Sequence, residues 1–394
     1  VSDPGAWLTM RILMYSESLV PEGGIEISAL QIARALSDRG NAVDVLYERD
    51  GELHSEYAAF CGSVTRSWMS VDKFSPKDAI RLVPAIWTGF RRRPDVIYGH
   101  RFRDVIAARL TGVVARAPTV CHLRDMFHDG TTRRLARWAD RYIAVSGATR
   151  DSWVNDGLDR DRVEVVHSGI DPHMYPVGGE VERRRARDTL GLAPDAFVAL
   201  YYGRLDADKG IDLLLDAWRQ WGLPADEGRL VLKGRPVLAR DPDGYLRELQ
   251  DRAPEGCLWL PMDKDVVTVL HAADVVVVPS LTEGLCRVVL EAMASGRPVV
   301  ATRVGGIPEI LTGPFERFLF ESGDGGGLVG QLASIVDWRQ REPQLAAECS
   351  EHIHANFSLK RMSERVEEVL QEEVDKKARS GLRSVTARAV TTQP

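Results

Sequence analysis

Short apolar runs and amphipathic stretches alternate along most of this chain. Residues 10–15 read as a buried strand, and 25–37 as a helix with apolar positions at helical spacing. Further strand-like runs follow at 42–47, 95–99, 118–123, 142–145 and 163–166, with helical stretches between them. The Pro- and Gly-rich segment 171–182 then breaks the rhythm. It restarts with strands at 197–202, 230–232, 258–260, 275–278, 299–302 and 318–320, and helices at 210–220, 245–253 and 266–272. Continuous Val, Leu and Ile runs flanked by helices mean parallel strands covered on both faces. The pattern therefore predicts an α/β chain with two doubly wound parallel sheets in tandem, and a ligand cleft between the two domains. Residues 359–374 are charged and amphipathic and predict a terminal helix. The stretch 376–394 has little apolar content and no period, and predicts disorder.

A length of 394 residues exceeds what one core usually fills, in keeping with two domains. The net charge of −6 argues against nucleic-acid binding by bulk electrostatics. Five scattered cysteines, without a C-x-x-C pair, fit reduced thiols in the cytoplasm better than a disulfide framework or a zinc site. No apolar run is long enough to span a bilayer, and residues 1–9 read as an extension ahead of the first strand. Gly325, Gly327 and Gly330 match G-x-G-x-x-G in letters, but no βαβ unit or ribose-binding acid follows, so dinucleotide binding is not expected there.

The candidate chemistry sits in loops after strands. Glu283 ends the loop after 275–278, and Glu291 lies eight residues on, inside an amphipathic helix. That places both at the carboxyl end of a parallel sheet, where open α/β folds bind ligands. Arg204 and Lys209 lie on one strand-to-helix loop, Tyr-Gly-Arg-Leu-Asp-Ala-Asp-Lys-Gly, as a fork and a point charge suited to a diphosphate. The start of the helix, with Gly284, Leu285, Cys286 and Arg287, offers free backbone N–H groups to an anion. Gly23 and Gly24 open the first helix of the N-terminal half, and His122 ends one of its strands in Cys-His-Leu-Arg-Asp.

The run from Asp274 to Ile310, with the Arg204–Lys209 loop upstream, resembles the E-x7-E signature of retaining glycosyltransferases of the GT-B fold, family 4. The resemblance implies two Rossmann-like domains facing a cleft: 10–175 binding the acceptor, 176–195 a linker, 196–358 binding a nucleotide sugar, and 359–375 a helix crossing back to the first domain. It implies catalytic roles for Glu283, His122, Arg204 and Lys209. The donor would be held by Gly23, Gly24, Arg204, Lys209, Lys233, Gly234, Glu283, Gly284, Leu285, Cys286, Arg287 and Glu291, and the acceptor by Glu26, Arg124 and Asp125. The family usually has E-G-F-G where this chain has Glu283-Gly284-Leu285-Cys286, which leaves the choice of donor open. Residues 167–171, His-Ser-Gly-Ile-Asp, resemble the family's P-N-G-I-D turn and take a structural role.

No cofactor or metal is implied. The cations serve the leaving group, and Asp206-Ala207-Asp208 reads as loop chemistry rather than a metal motif. The expected partners are a nucleotide sugar, UDP-linked, and a small acceptor with a hydroxyl group. An acidic rim of Glu17, Glu22, Glu26, Asp125 and Asp129 would suit an aminocyclitol, whereas Arg101, Arg103 and Arg124 argue the other way. His100 and His128 are weaker histidine candidates. A lipid acceptor stays open, because 81–93 combines Leu82, Val83, Ile86, Trp87 and Phe90 with Arg91, Arg92 and Arg93 directly after them. That segment reads either as a helix packed on its own domain or as a basic helix lying on lipid. An inactive sugar-binding protein and a sugar-nucleotide epimerase also remain.

Overall fold

The computed structural model describes residues 9–390 apart from Glu22, 70–75 and 127–137. Glu22, His128, Asp129 and residues 1–8 of the expected extension lie outside the described residues. The chain divides into two compact units, Val1–His167 with Lys360–Pro394, and Ser168–Leu359.

The first unit is built on seven strands: β1 (Arg11–Ser18), β2 (Ala42–Arg49), β3 (Ser63–Arg66), β4 (Val96–Gly99), β5 (Thr119–Leu123), β6 (Arg141–Ala144) and β7 (Val163–Val165). They lie in the order β3-β2-β1-β4-β5-β6-β7, all parallel. The periodicity missed β3, whose Ser-Val-Thr-Arg sequence is polar and half-buried because it forms the sheet edge. The strand order reverses direction between β1 and β4, the switch point at which doubly wound sheets take ligands.

The second unit repeats the plan with β8 (Phe197–Arg204), β9 (Gly228–Arg235), β10 (Cys257–Leu260), β11 (Val275–Val278), β12 (Val299–Thr302) and β13 (Leu319–Phe320). Their order is β10-β9-β8-β11-β12-β13, again all parallel. The four valines of β11 are all buried, as a central strand covered on both faces requires. Here the switch point lies between β8 and β11.

Two boundaries differ from the sequence reading. The expected linker 176–195 contains the helix Glu180–Leu190, which belongs to the second unit. Its Arg187 is fully buried, donating to Asp274 at 2.7 Å and to the carbonyl of Ala272 at 3.0 Å. A Pro/Gly-rich lead-in concealed a helix fastened by one arginine. The terminal helix runs Leu359–Val390, through residues read as a disordered tail. That stretch lacks proline before residue 394 and contains good helix formers, so helix propagation meets no breaker. The helix is tied to the first unit by Arg365 with Glu164 (2.7 Å) and by Glu367 with Arg39 and Asn41.

Asp274 accepts from the Val198 amide at 2.8 Å and pairs with Arg187 and Arg339. Removing the charge leaves a buried guanidinium uncompensated. Asp274→Asn is therefore expected to cost about 3 kcal/mol in urea denaturation. A loss below about 1 kcal/mol would contradict this account of the helix.

Candidate functional site

In the second unit the loops after the two switch-point strands are locked together. Gly210 follows the short turn Ala207–Lys209 with φ of +69°, and a side chain there would come within 2.0 Å of the Pro279 carbonyl oxygen. Only glycine permits this approach. The Leu281 amide then donates to the Asp208 carbonyl at 2.9 Å.

This packing brings Lys209 to Glu283, with Nζ 2.9 Å from Oε1. Ser280 Oγ donates to the same oxygen at 2.8 Å, so the carboxylate is held from two sides. Burial works against the Lys209 ammonium, but Glu283 outweighs it and holds the lysine above its ordinary range. Arg204 donates to Asp206 and, at 3.3 Å, to Asp208. Asp206 is itself buried and accepts from the amides of Val237 (2.9 Å) and Leu238 (2.8 Å). The two aspartates of the D-x-D letters thus brace the loop and orient its cations.

Glu291 is buried in the helix Arg287–Ala294. Its Oε1 pairs with Arg287 at 3.1 Å and its Oε2 accepts from Tyr202 at 3.1 Å. Burial first, and then the nearby Glu291 charge, hold the Tyr202 phenol well above its ordinary value, so it is a donor at neutral pH. Leu285 and Cys286 are buried at the start of this helix. Cys286 adopts φ of +75°, a region that glycine enters without penalty and a cysteine does not. A glycine, usual here in the family pattern, would take this φ without that penalty. Gly284 accepts from the Gly306 amide at 3.1 Å.

Lys233 and Gly234 end β9. Lys233 pairs with Asp263 at 2.7 Å. A side chain at Gly234 would meet the Gly203 carbonyl oxygen at 1.8 Å, which gives this glycine a packing reason of its own. Gly325–Ile335 is an ordinary helix after β13, capped by Asp324 on the Gly327 amide. Gly169 packs against Ser358, and Ile170 bonds to Phe357 and Leu359, so that turn is structural.

In the first unit, a cluster gathers at the ends of β1, β4 and β5. His122 Nδ1 lies 2.6 Å from the Tyr98 hydroxyl. One Arg124 nitrogen lies 3.2 Å from His100 Nδ1 and 3.3 Å from His122 Nδ1, while another donates to Ser28 at 3.0 Å. Arginine only donates, so both Nδ1 atoms accept and both imidazoles carry their proton on Nε2. Both Nε2 atoms are buried and have no hydrogen-bond partner among the described residues. Burial, then the Arg124 charge, holds both rings well below the ordinary histidine range. His122 is therefore a neutral ring that carries its proton on Nε2. His100, a weaker candidate in the sequence, stands beside it, with ring centres 6.1 Å apart.

Glu26 is buried at the first turn of Gly24–Asp38, whose N-cap is Gly23. It pairs with Arg101, which also reaches Glu17 at 3.2 Å. Two members of the expected acidic rim thus share one arginine. Asp125 is exposed, and its carbonyl accepts from the Trp153 indole at 2.9 Å. Asp104 was not anticipated. It is fully buried with neither oxygen bonded among the described residues, and burial, then Glu17, pushes its carboxyl up to about 7.

Long-range proton–nitrogen NMR on histidine-labelled protein should find His100 and His122 protonated at Nε2 and uncharged at pH 6, with assignments from His100→Gln and His122→Gln. A proton on Nδ1 of either ring would contradict the cluster.

The family described as Glycosyl transferases group 1 matches residues 196–337, and Glycosyltransferase Family 4 matches residues 22–173. The lipopolysaccharide 1,2-N-acetylglucosaminetransferase of Salmonella typhimurium is 32% identical over 246 residues, 60% of this chain and 64% of that protein. The D-inositol 3-phosphate glycosyltransferase 1 of Catenulispora acidiphila is 27% identical over 370 residues, 84% of this chain and 86% of that protein. The chain thus spans a little under two thirds of the first relative's length. The solved structure of Anabaena HepE in complex with UDP and glucose superposes with a TM-score of 0.80 at 24% identity, covering 92% of this chain and 99% of that one. That likeness is one of fold: two parallel-sheet α/β domains of the GT-B kind. With both halves matched in order, the chain belongs to the group 1, family 4 glycosyltransferases.

Proposed function

We propose that the chain is a retaining glycosyltransferase that moves a hexosyl or N-acetylhexosaminyl group from a UDP-linked donor to a hydroxyl of a small acceptor. The observation that carries this reading is the Lys209–Glu283 contact at the switch point of the second unit, with Arg204 on the same loop. A cation for phosphate and a carboxylate for sugar hydroxyls stand within one hydrogen bond of each other.

In this mechanism the bond from the anomeric carbon to the β-phosphate oxygen breaks as the acceptor oxygen bonds to the same face. The acceptor proton passes to the departing phosphate oxygen. Lys209, Arg204 and the first amides of Arg287–Ala294 stabilise the charge that grows on that oxygen. A guanidinium has five N–H groups, so two aspartate contacts leave Arg204 donors for phosphate. Glu283 accepts from hexose hydroxyls. Glu291, oriented by Arg287 and Tyr202, accepts from the ribose. Protein cations fill the role that a metal has in other transferases, so turnover should survive a chelator.

The first unit is assigned to the acceptor. Glu17 and Glu26 share Arg101, so one of their two negative charges is already balanced and only the other is left for a cationic aminocyclitol. The Nε2–H groups of His100 and His122 suit hydroxyl or phosphate oxygens better. A cyclitol fits this chemistry, and the Catenulispora relative carries inositol phosphate in its name.

The purified chain should release UDP from a UDP-sugar when a cyclitol acceptor is added, with EDTA present, and product NMR should show the donor's anomeric configuration. Glu283→Gln and Lys209→Met should each lower kcat/KM by about 100-fold or more with unchanged circular dichroism. Full activity in both variants, or an inverted product, would refute the assignment.

A further inference from the structure

Residues 170–178 lie near the start of the second unit and are fastened along their length. The Ile170 amide donates to the Phe357 carbonyl at 3.0 Å, and its carbonyl accepts from the Leu359 amide at 2.6 Å. Asp171 accepts from the His173 amide at 3.0 Å, and the Tyr175 amide closes on the Pro172 carbonyl at 3.0 Å. Beyond Tyr175, the Pro176 carbonyl lies 2.9 Å from His271 Nε2, and the Gly178 carbonyl accepts from the buried Arg297 at 3.0 Å. A side chain on Gly296, just past the Arg287–Ala294 helix, would come within 3.0 Å of Val177. The stretch therefore runs against the end of the helix that carries Glu291, and it holds Tyr175 buried.

This anchoring delivers a hydroxyl to Glu291. The Tyr175 hydroxyl donates to the Glu291 carboxylate and accepts from Arg287. Burial, then the Glu291 charge, hold this phenol above its ordinary range, so it stays a donor at neutral pH. Glu291 thus accepts from three side chains: Arg287 through Nε at 3.2 Å, Tyr202 at 3.1 Å, and Tyr175. A carboxylate has about four lone-pair positions, so three fixed donors leave about one for a ligand hydroxyl. A phenyl ring would fill the same space as Tyr175. What its hydroxyl adds is the contact with Glu291 and Arg287.

We propose that Tyr175 is a positioning residue for the donor nucleotide, its hydroxyl fixing the Glu291 carboxylate so that the remaining lone-pair position meets a ribose hydroxyl. The proposal rests on the reading of Glu291 as the ribose ligand. It goes beyond that reading by assigning part of the selectivity for ribose to a tyrosine that lies outside the loops after β8 and β11.

Calorimetric titration with UDP and with 2′,3′-dideoxy-UDP reads the ribose hydroxyls alone. The wild-type chain should bind UDP at least about tenfold more tightly than the dideoxy form. Tyr175→Phe should cut that preference by about fivefold and leave dideoxy-UDP binding unchanged. In turnover the same variant should raise KM for the UDP-sugar while kcat changes little. A preference retained in full by Tyr175→Phe would overturn the proposal and leave the role of Glu291 intact. Equal losses for the two nucleotides would also overturn it, since the hydroxyl would then serve the fold. Equal binding of the two by the wild-type chain, or no binding of either, would remove the ribose reading of Glu291 and the proposal with it.

Discussion

The contact between Lys209 and Glu283 is the constraint on which the second unit's chemistry depends. The residues are 74 positions apart and meet only because β8 and β11 are neighbours where the strand order reverses. The meeting is enforced by backbone. Gly210 lets its loop settle on Pro279, and Leu281 ties back to Asp208. Once the loops are in register, charge does the rest: Glu283 raises Lys209 against the effect of burial, and Ser280 fixes the carboxylate that the lysine touches. The surrounding aspartates keep Arg204 aimed along the same loop. An arrangement with this many mutual restraints is preorganised, which is what stabilising a developing charge requires.

The first unit uses the same topological position for different chemistry. Its strand ends bring two histidines to one arginine, and that arginine decides the protonation of both. A ring whose Nδ1 accepts from a permanent cation is a poor base and a well-defined donor. Two of the acidic side chains nearby share the one cation of Arg101. This unit therefore offers directed N–H groups from two neutral rings, in contrast to the cation-bearing loop of the second unit.

Much of this was legible in the sequence because the relevant signals are local. Parallel strands announce themselves as apolar runs, and Arg204, Lys209, Glu283 and Glu291 follow such runs in loops or helix starts. What was illegible depends on distant partners. Nothing around Arg187 says that Asp274 waits 87 residues away, so its helix read as a linker. His100 and Asp104 carry no motif, and their burial follows from the β1–β4–β5 packing alone. Val83 and Ile86 look alike in sequence, yet the first is exposed and the second half-buried, a distinction set by how the helix meets Val105–Ala115. Cys286 shows the reverse case, in which sequence flagged a departure and backbone geometry gave its meaning.

The central claim is that the Arg204–Lys209 loop is a seat for a diphosphate. Calorimetric titration with UDP and with uridine isolates that contribution, since the two ligands differ only in the diphosphate. The account predicts that UDP binds at least about tenfold more tightly than uridine, and that Arg204→Gln with Lys209→Met removes the margin. A margin that survives in the double variant would contradict it.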